Sequence, residues 1–218
     1  MLLLERRSAR QAQTAALNQL HALVITAPPA LRERLERLRG LALARRAAAL
    51  RSQEAFAPAL RRLARRALEL AAEVELVDRE LARLVEALAP ALLAECGVGP
   101  VCAAQLIVSS GDPQRMRSEA AFAALAALAG ASPVDASSGR QQRHRLNRGG
   151  DRQLNAALYV IALKRKQTHA ATRAYYGRLL ASGKTKREAL RCVKRVLARH
   201  FYRQLRALEP TALAGARP

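Results

Sequence analysis

The sequence predicts an all-α protein, in which a helical connector with a coiled-coil pattern precedes a helical domain that contains a helix-hairpin-helix. Half of the 218 residues are apolar, but aromatic residues make up only 3%. A chain dominated by Ala, Leu and Arg favours helices. Apolar side chains also recur at steps of three and four, and no segment shows a convincing strand pattern.

Two helices are predicted before residue 56. The first covers 3–25, and the Pro-Pro pair within residues 27–30 ends it. The second covers about 30–55, and Ala57-Pro58 marks a further break or kink, because proline interrupts helix hydrogen bonding. The apolar side chains that define these two helices are Leu17, Leu20, Val24, Leu31, Leu35 and Leu38.

The third helix carries the most regular apolar pattern of the chain. Its seam runs over about four heptads, as in a coiled coil, with mixed charge on the outer face. Such a seam could pack against the first two helices as a hairpin, or it could join two copies of the chain. The seam residues are Leu60, Leu63, Ala67, Leu70, Val74, Val77, Leu81, Leu84 and Leu88.

A glycine turn follows the connector. Gly97 and Gly99 precede a predicted helix over 100–109, and Gly111-Asp112-Pro113 separates it from another helix over about 118–129. Glycines allow a tight turn, and the free N–H groups of a helix start can face a phosphate. This pattern is typical of a helix-hairpin-helix, although an ordinary turn between packed helices has the same residues.

Three more helices are predicted after a loop at 130–149. They cover about 151–168, 170–181 and 186–206, with Gly183 ending the second and a Thr185–Glu188 capping box starting the third. Leu190, Val193, Val196 and Leu197 form the predicted buried stripe of the last helix, and Arg165 and Lys194 are predicted to face outward. The predicted domains are therefore 1–93 and 94–208, followed by a frayed tail at 209–218.

The charge points to a polyanionic partner. The formal net charge is +21, and residues 132–206 hold 19 of the 38 basic residues with only three acids. Such an excess indicates DNA or RNA. No apolar run is long enough to span a membrane. The three cysteines read as reduced thiols of a cytoplasmic protein, and no Cys/His spacing resembles a zinc site.

Three kinds of catalysis can be weighed against simple nucleic-acid binding. The acids after residue 95 have no spacing that gathers a magnesium site. His200 and Arg203 have the spacing of a tyrosine recombinase, but no tyrosine follows them. Ser138 precedes Gly139 and a run of arginines that could stabilise a phosphate under attack. On composition alone, a flexible serine loop is the favoured explanation of that segment.

The order of short motifs resembles the C-terminal transposase domain of the insertion-sequence family one-ten, which includes the pilin-gene invertases. The motifs are Gly-Val-Gly-Pro, Gly-Asp-Pro, a Gly-x-x-Pro before Ser-Gly, Asn-Arg-Gly-Gly, and Tyr-Tyr before Gly-Lys. The segment before residue 30 is similar to the helical connector of that family. The resemblance therefore covers nearly the whole chain.

The resemblance implies a DNA transposase or recombinase that exchanges strands through a serine nucleophile. Counting five residues from Pro133 gives Ser138 as the nucleophile, with Ser137 as the alternative. It also implies a guide RNA, and Mg²⁺ held by four acids of a preceding RuvC-like domain, with no metal in this chain. The seam of the third helix adds the expectation of a homo-oligomer formed through the connector.

Because that domain is not in the sequence, we expect a truncated transposase. The alternatives are a non-catalytic nucleic-acid-binding remnant and a dimerising scaffold. The residues predicted to bind nucleic acid are Gly97, Gly99, Arg140, Arg143, Arg145, Arg148, Arg152, Lys184 and Lys186.

Overall fold

The computed structural model confirms the all-α class. It describes residues 1–52, 54–111, 118–125, 134–135, 144–145 and 150–208. The chain divides into two compact units, Met1–Leu81 and Ala82–Pro218. The predicted boundary at residue 93 remains a prediction, and the predicted frayed tail lies outside the described residues.

The first unit is built from α1 (Leu2–Thr26), α2 (Pro29–Leu35), α3 (Gly40–Ala48) and most of α4 (Phe56–Leu88). Its core contains fully buried leucines from all four helices, among them Leu20, Leu31, Leu43 and Leu60. The buried side chains of α1 recur at steps of three and four, which places them on one face of the helix.

Two predictions about helix ends in this unit are wrong. The helix predicted over 30–55 is divided between α2 and α3, because Arg39 is extended and Gly40 has a φ of +55°, a conformation that favours glycine. Ala57-Pro58 does not interrupt or kink a helix but lies in the first turn of α4. Proline is tolerated there, because the first N–H groups of a helix have no partner within it.

The seam of α4 packs within one chain along much of its length. Leu60, Ala67, Val74, Val77 and Leu81 are buried. Arg6 of α1 pairs with Asp78, while Leu20 shares a core with Leu60, so α1 and α4 run antiparallel. The hairpin alternative therefore accounts for the buried part of the seam, and a homo-oligomer remains a proposal.

The heptad pattern does not predict the buried residues correctly at the end of α4. Leu84 is 46% exposed, whereas Val85 is buried in its place. A straight helix drifts by about 20° per heptad from a strict seven-residue repeat, so the buried face moves on by one residue after several heptads.

Replacing Leu81 by Asp is expected to destabilise the N-terminal helices by at least about 3 kcal/mol, through lost apolar burial and an added buried charge. Leu84→Asp is the matched control, because the two side chains are 4% and 46% exposed. Urea unfolding followed by circular dichroism measures the stability difference. Equal loss in both variants would contradict the packing. A lower sedimenting mass for Leu84→Asp alone would support a dimer through the exposed side of α4.

The second unit contains the end of α4, then α5 (Pro90–Ala94), α6 (Pro100–Ser110), α7 (Glu119–Leu125), α8 (Arg152–Thr168), α9 (Ala170–Ala181) and α10 (Lys186–Arg206). Helix α8 packs against α6, α9 and α10, and α10 also packs against α7. The buried side chains of this core include Leu106, Phe122, Leu158, Ile161 and Phe201.

The last three helices end and begin as the sequence predicts. Gly183 has a φ of +85° after α9. At the start of α10, Thr185 and Glu188 form the complete capping box. One feature was not predicted: β1 (Val134–Asp135) pairs antiparallel with β2 (His144–Arg145).

Candidate nucleic-acid interface

Gly97 and Gly99 have different structural roles in the turn before α6. Gly97 has a φ of +80°, and a Cβ atom there would lie 3.2 Å from the Cβ of Lys164 on α8. The backbone conformation therefore favours glycine, and the close packing leaves little room for a side chain. Gly99 is the N-cap of α6, provides no side-chain cap, and has open space around it. The turn is thus anchored on α8 by Gly97, while Gly99 leaves the start of α6 accessible.

A buried ion pair holds this turn to the helical core. Arg165 of α8 is 6% exposed, and its guanidinium pairs with the Glu95 carboxylate. Arg165 Nε also donates to the Cys96 carbonyl oxygen at 2.7 Å, and the guanidinium lies 5.5 Å from the ring centroid of Phe201. The prediction that Arg165 faces outward is therefore wrong, because its charge is compensated inside the unit.

Two side chains of α10 complete the Glu95 site. His200 Nε2 lies 2.9 Å from Glu95 Oε1, and the Gln204 side-chain amide donates to the same oxygen. Burial favours the protonated carboxyl and by itself would raise the pKa of Glu95. The hydrogen bonds from His200 and Gln204 and the charges of His200 and Arg165 outweigh this effect, so the pKa of Glu95 is lowered. The ionised carboxylate thus joins the glycine turn to α8 and α10.

Asp151 fixes the point at which α8 begins. Its Oδ1 accepts hydrogen bonds from the N–H groups of Gln153 and Leu154, at 2.8 and 3.1 Å. Its Oδ2 accepts a hydrogen bond from the Ser109 hydroxyl of α6. Arg152, one of the predicted binding residues, is the first residue of α8 and is exposed. The capping contacts therefore place an exposed arginine directly after the basic segment.

The short strand pair brings together the two flanks of the predicted catalytic segment. Asp135 is the partner of His144 across the ladder, and Val134 is the partner of Arg145. The segment between them, 136–143, contains both candidate serines. Ser137, Ser138, Arg140, Arg143 and Arg148 lie outside the described residues, and Arg145 is described only as part of β2.

Helix α10 carries a row of arginines that the sequence analysis did not include among the predicted binding residues. Its members are spaced by four residues, which equals about 6 Å along a helix axis, so the row extends over about 24 Å. A row of guanidinium groups at this spacing can face the phosphates of a polyanionic partner. The row consists of the exposed residues Arg187, Arg191, Arg195, Arg199 and Arg203.

Lysines and an aromatic ring meet where α9 turns into α10. Lys166 Nζ lies 5.2 Å from the ring centroid of Tyr176, and the Tyr176 hydroxyl donates to the Lys186 carbonyl oxygen at 3.5 Å. The predicted binding residues Lys184 and Lys186 are both exposed. Sequence reasoning missed Lys166, although its position in a Lys-Arg-Lys triplet could have indicated it.

The predicted binding residues do not converge on a single point. Gly97 contacts α8 at Lys164, whereas Arg152 lies at the opposite end of α8. Twelve residues of α helix separate these ends by about 18 Å. The predicted binding residues are therefore spread over the second unit, and this spread fits a long strand better than a small anion.

Two predictions for α10 need correction. Lys194 is buried rather than outward, and its Nζ donates to Asn155 Oδ1 of α8 at 2.7 Å. Burial, with a smaller contribution from the Arg191 charge, lowers the pKa of Lys194. Val196, which was predicted to be buried, is 49% exposed.

Most acids of the basic region are engaged at helix starts. Asp151 caps α8, and Glu188 belongs to the capping box of α10. Across the described residues, no three His, Cys, Asp or Glu side chains gather as a metal site would require. No described helix has both the length and the apolar character needed to cross a membrane.

Residues 89–177 match the family model Transposase_20, described as Transposase IS116/IS110/IS902 family. This segment is similar to the transposase domains that this family model describes. It includes the glycine turn, the strand pair and all of α8, so the resemblance seen in the motifs is confirmed for this part of the chain.

The chain is also similar to a protein of Streptomyces coelicolor, the "Insertion element IS110 uncharacterized 43.6 kDa protein". The two are 37% identical over 117 residues, which is 52% of this chain and 28% of the relative. The chain thus spans less than a third of the length of this curated relative.

Proposed function

We propose that the chain acts in DNA transposition, as the part of a recombinase that holds DNA and supplies a serine nucleophile. The observation that carries the proposal is the match of residues 89–177 to the transposase family. The exposed basic residues of the second unit support it, because phosphate contacts provide most of the affinity for DNA.

The proposed nucleophile is Ser138. Its hydroxyl oxygen would form a bond to a DNA phosphorus atom while the bond from that phosphorus to one sugar oxygen breaks. The hydroxyl proton would pass to the sugar oxygen, which leaves as a sugar hydroxyl. The neighbouring Arg140 and Arg143 would stabilise the charge that develops on the phosphate oxygens. The described acids of this unit do not form a magnesium site, so we assign no step of this chemistry to a metal in this chain.

The remaining parts of the proposal concern partners. The resemblance supports a guide RNA, and the exposed basic residues have the charge to bind RNA as well as DNA. The exposed Leu76 and Leu84 on α4 would be available to a second copy of the chain. The alternative function is nucleic-acid binding without catalysis, which the arginine row of α10 supports independently of any serine.

Binding to duplex DNA is expected to fall steeply with salt. A row about 24 Å long can face about seven phosphates of one strand, and each contact contributes about 0.9 to the slope of log affinity against log salt. We therefore expect a slope of about −4 to −6 for the whole chain by fluorescence anisotropy. A flat salt response would contradict the proposed function.

A pair of double variants tests whether the position of the charge matters. Arg191→Ala/Arg195→Ala is expected to reduce the slope by about two phosphate contacts. Arg45→Ala/Arg46→Ala removes the same charge from exposed positions of α3 and should change the slope little. Equal effects of the two pairs would show that net charge, rather than the α10 surface, determines binding.

A further inference from the structure

A pocket of about 530 Å³ lies between helices of the second unit. Small-molecule sites occupy about 300–1,000 Å³, so the pocket can hold a group the size of a nucleotide. Its walls come from the turn before α6 and from α8, α9 and α10. The proposed serine chemistry uses none of its side chains.

One side of the pocket is apolar and the other is aromatic. Val193, Val196 and Leu197 of α10 provide the apolar side, and Val196 is 49% exposed. Tyr175 of α9 and His169 provide flat rings. His169 is held in place because its Nδ1 accepts a hydrogen bond from the Thr172 N–H at 3.3 Å. Apolar and aromatic walls suit a flat ring, such as a nucleobase.

The charges around the pocket favour a phosphate at its mouth. Arg165 is already compensated by Glu95, which also engages His200. Arg178 is exposed, its guanidinium lies 5.9 Å from the ring centroid of Tyr175, and no carboxylate pairs with it among the residues that the structure describes. A cation beside an aromatic ring matches a nucleotide, in which a phosphate is attached to a stacking base.

The arginine row of α10 indicates where such a nucleotide comes from. Val196 lines the pocket, and Arg199, three residues later on α10, belongs to the row. Residues three apart are neighbours on a helix surface, so a strand whose phosphate contacts Arg199 would lie beside the pocket. A base that is already unpaired can enter at little cost, whereas a base inside a duplex must first be unstacked.

We propose that this pocket receives one unpaired nucleotide of the bound nucleic acid, with its base beside Tyr175 and its phosphate near Arg178. The inference rests on the proposed nucleic-acid binding of this unit. The strand can be an RNA loop or unpaired DNA, since both present the same base and phosphate chemistry.

The test uses single-stranded RNA and DNA oligonucleotides of one sequence, each with a central 2-aminopurine, and the matched DNA duplex. Fluorescence of 2-aminopurine reports stacking, and anisotropy reports affinity for the whole chain. Tyr175→Ala is expected to weaken single-strand binding by about tenfold and to remove the stacking signal. Duplex binding should be unchanged. Whichever single strand, RNA or DNA, loses more affinity in Tyr175→Ala is the one that the pocket receives.

Matched variants separate stacking from other effects. Tyr175→Phe keeps the ring and should bind as the unmodified chain does. Tyr159→Ala removes an exposed tyrosine of α8 that does not line the pocket, so it should have no effect. Val196→Phe fills the pocket without removing a core side chain, so it should reproduce the loss even if Tyr175→Ala fails to fold.

Two outcomes overturn different proposals. If the chain binds the duplex with a steep salt slope, but single-strand binding is unchanged by both Tyr175→Ala and Val196→Phe, the pocket proposal alone fails. If the chain binds none of the three nucleic acids at low salt, the proposed function itself has failed.

Discussion

Replacing Glu95 by Gln is expected to destabilise the second unit by about 3 kcal/mol or more, because the change leaves the buried Arg165 charge without its partner. Arg165 is 6% exposed and belongs to α8, which contacts α6, α9 and α10. The amide of the variant cannot compensate that charge. Urea unfolding at neutral pH, followed by circular dichroism, measures the loss.

The effect is expected to depend on pH. Because the pKa of Glu95 is lowered in the folded protein, its ionised form stabilises the fold fully above its ordinary pKa of 4.5. This contribution is lost as the pH falls through the lowered folded pKa. The difference between the unmodified chain and Glu95→Gln should therefore be largest near neutral pH and shrink steadily below pH 4.5.

Two further variants test the assignment. Glu86→Gln removes an exposed acid from α4 and should change the unfolding free energy by less than about 0.5 kcal/mol. Adding Arg165→Met to Glu95→Gln should recover part of the loss, since the uncompensated charge is then removed. A Glu95→Gln variant as stable as Glu86→Gln would show that the ion pair contributes nothing to the fold.

Local sequence signals predicted the helices well where the side chains themselves determine the structure. The steps of three and four predicted most of the buried seam of α4 as far as Leu81, and the Thr185–Glu188 spacing predicted the start of α10. The failures in the first unit are also local. Gly40 could have indicated the division between α2 and α3, and Pro58 could have been assigned to a helix start.

The contacts between distant helices were not available from pattern alone. Glu95 and Arg165 are 70 positions apart, and Lys194 and Asn155 are 39 positions apart. A charged residue is ordinarily exposed, so Arg165 and Lys194 were assigned to the surface by their charge, although both lie where the helical period continues the buried face. Only the packing of α8 against α10 and the turn before α6 reveals that each has a partner inside the second unit.

Some features of the candidate site could be predicted from the sequence, and others could not. Motif order gave the transposase resemblance, which the match over residues 89–177 confirms for that segment. The sequence shows the four-residue spacing of the arginine row of α10. Whether the row is exposed depends on which face of α10 packs against α7 and α8. The pocket beside Tyr175 requires three helices to meet, so no local pattern could have predicted it.

The largest effect on activity is expected from Ser138→Ala, which should abolish strand exchange. The hydroxyl is the proposed nucleophile, so no covalent bond between protein and DNA can form without it. Because the chain covers 28% of its Streptomyces coelicolor relative, the experiment grafts residues 94–218 onto a full-length relative. Denaturing electrophoresis with labelled DNA then detects the covalent adduct.

Nucleic-acid affinity should separate chemistry from binding in the same chimera. Ser138→Ala is expected to leave affinity nearly unchanged, since one neutral hydroxyl contributes little beside many phosphate contacts. Arg143→Ala should weaken binding and reduce the salt slope by about 0.9. Ser137→Ala is the matched control, because it removes the neighbouring hydroxyl and leaves the proposed nucleophile in place.

An adduct that survives Ser138→Ala but disappears with Ser137→Ala would move the nucleophile by one residue. An adduct that survives the loss of both serines would remove the serine mechanism, and the basic segment would then serve only to hold the phosphate chain.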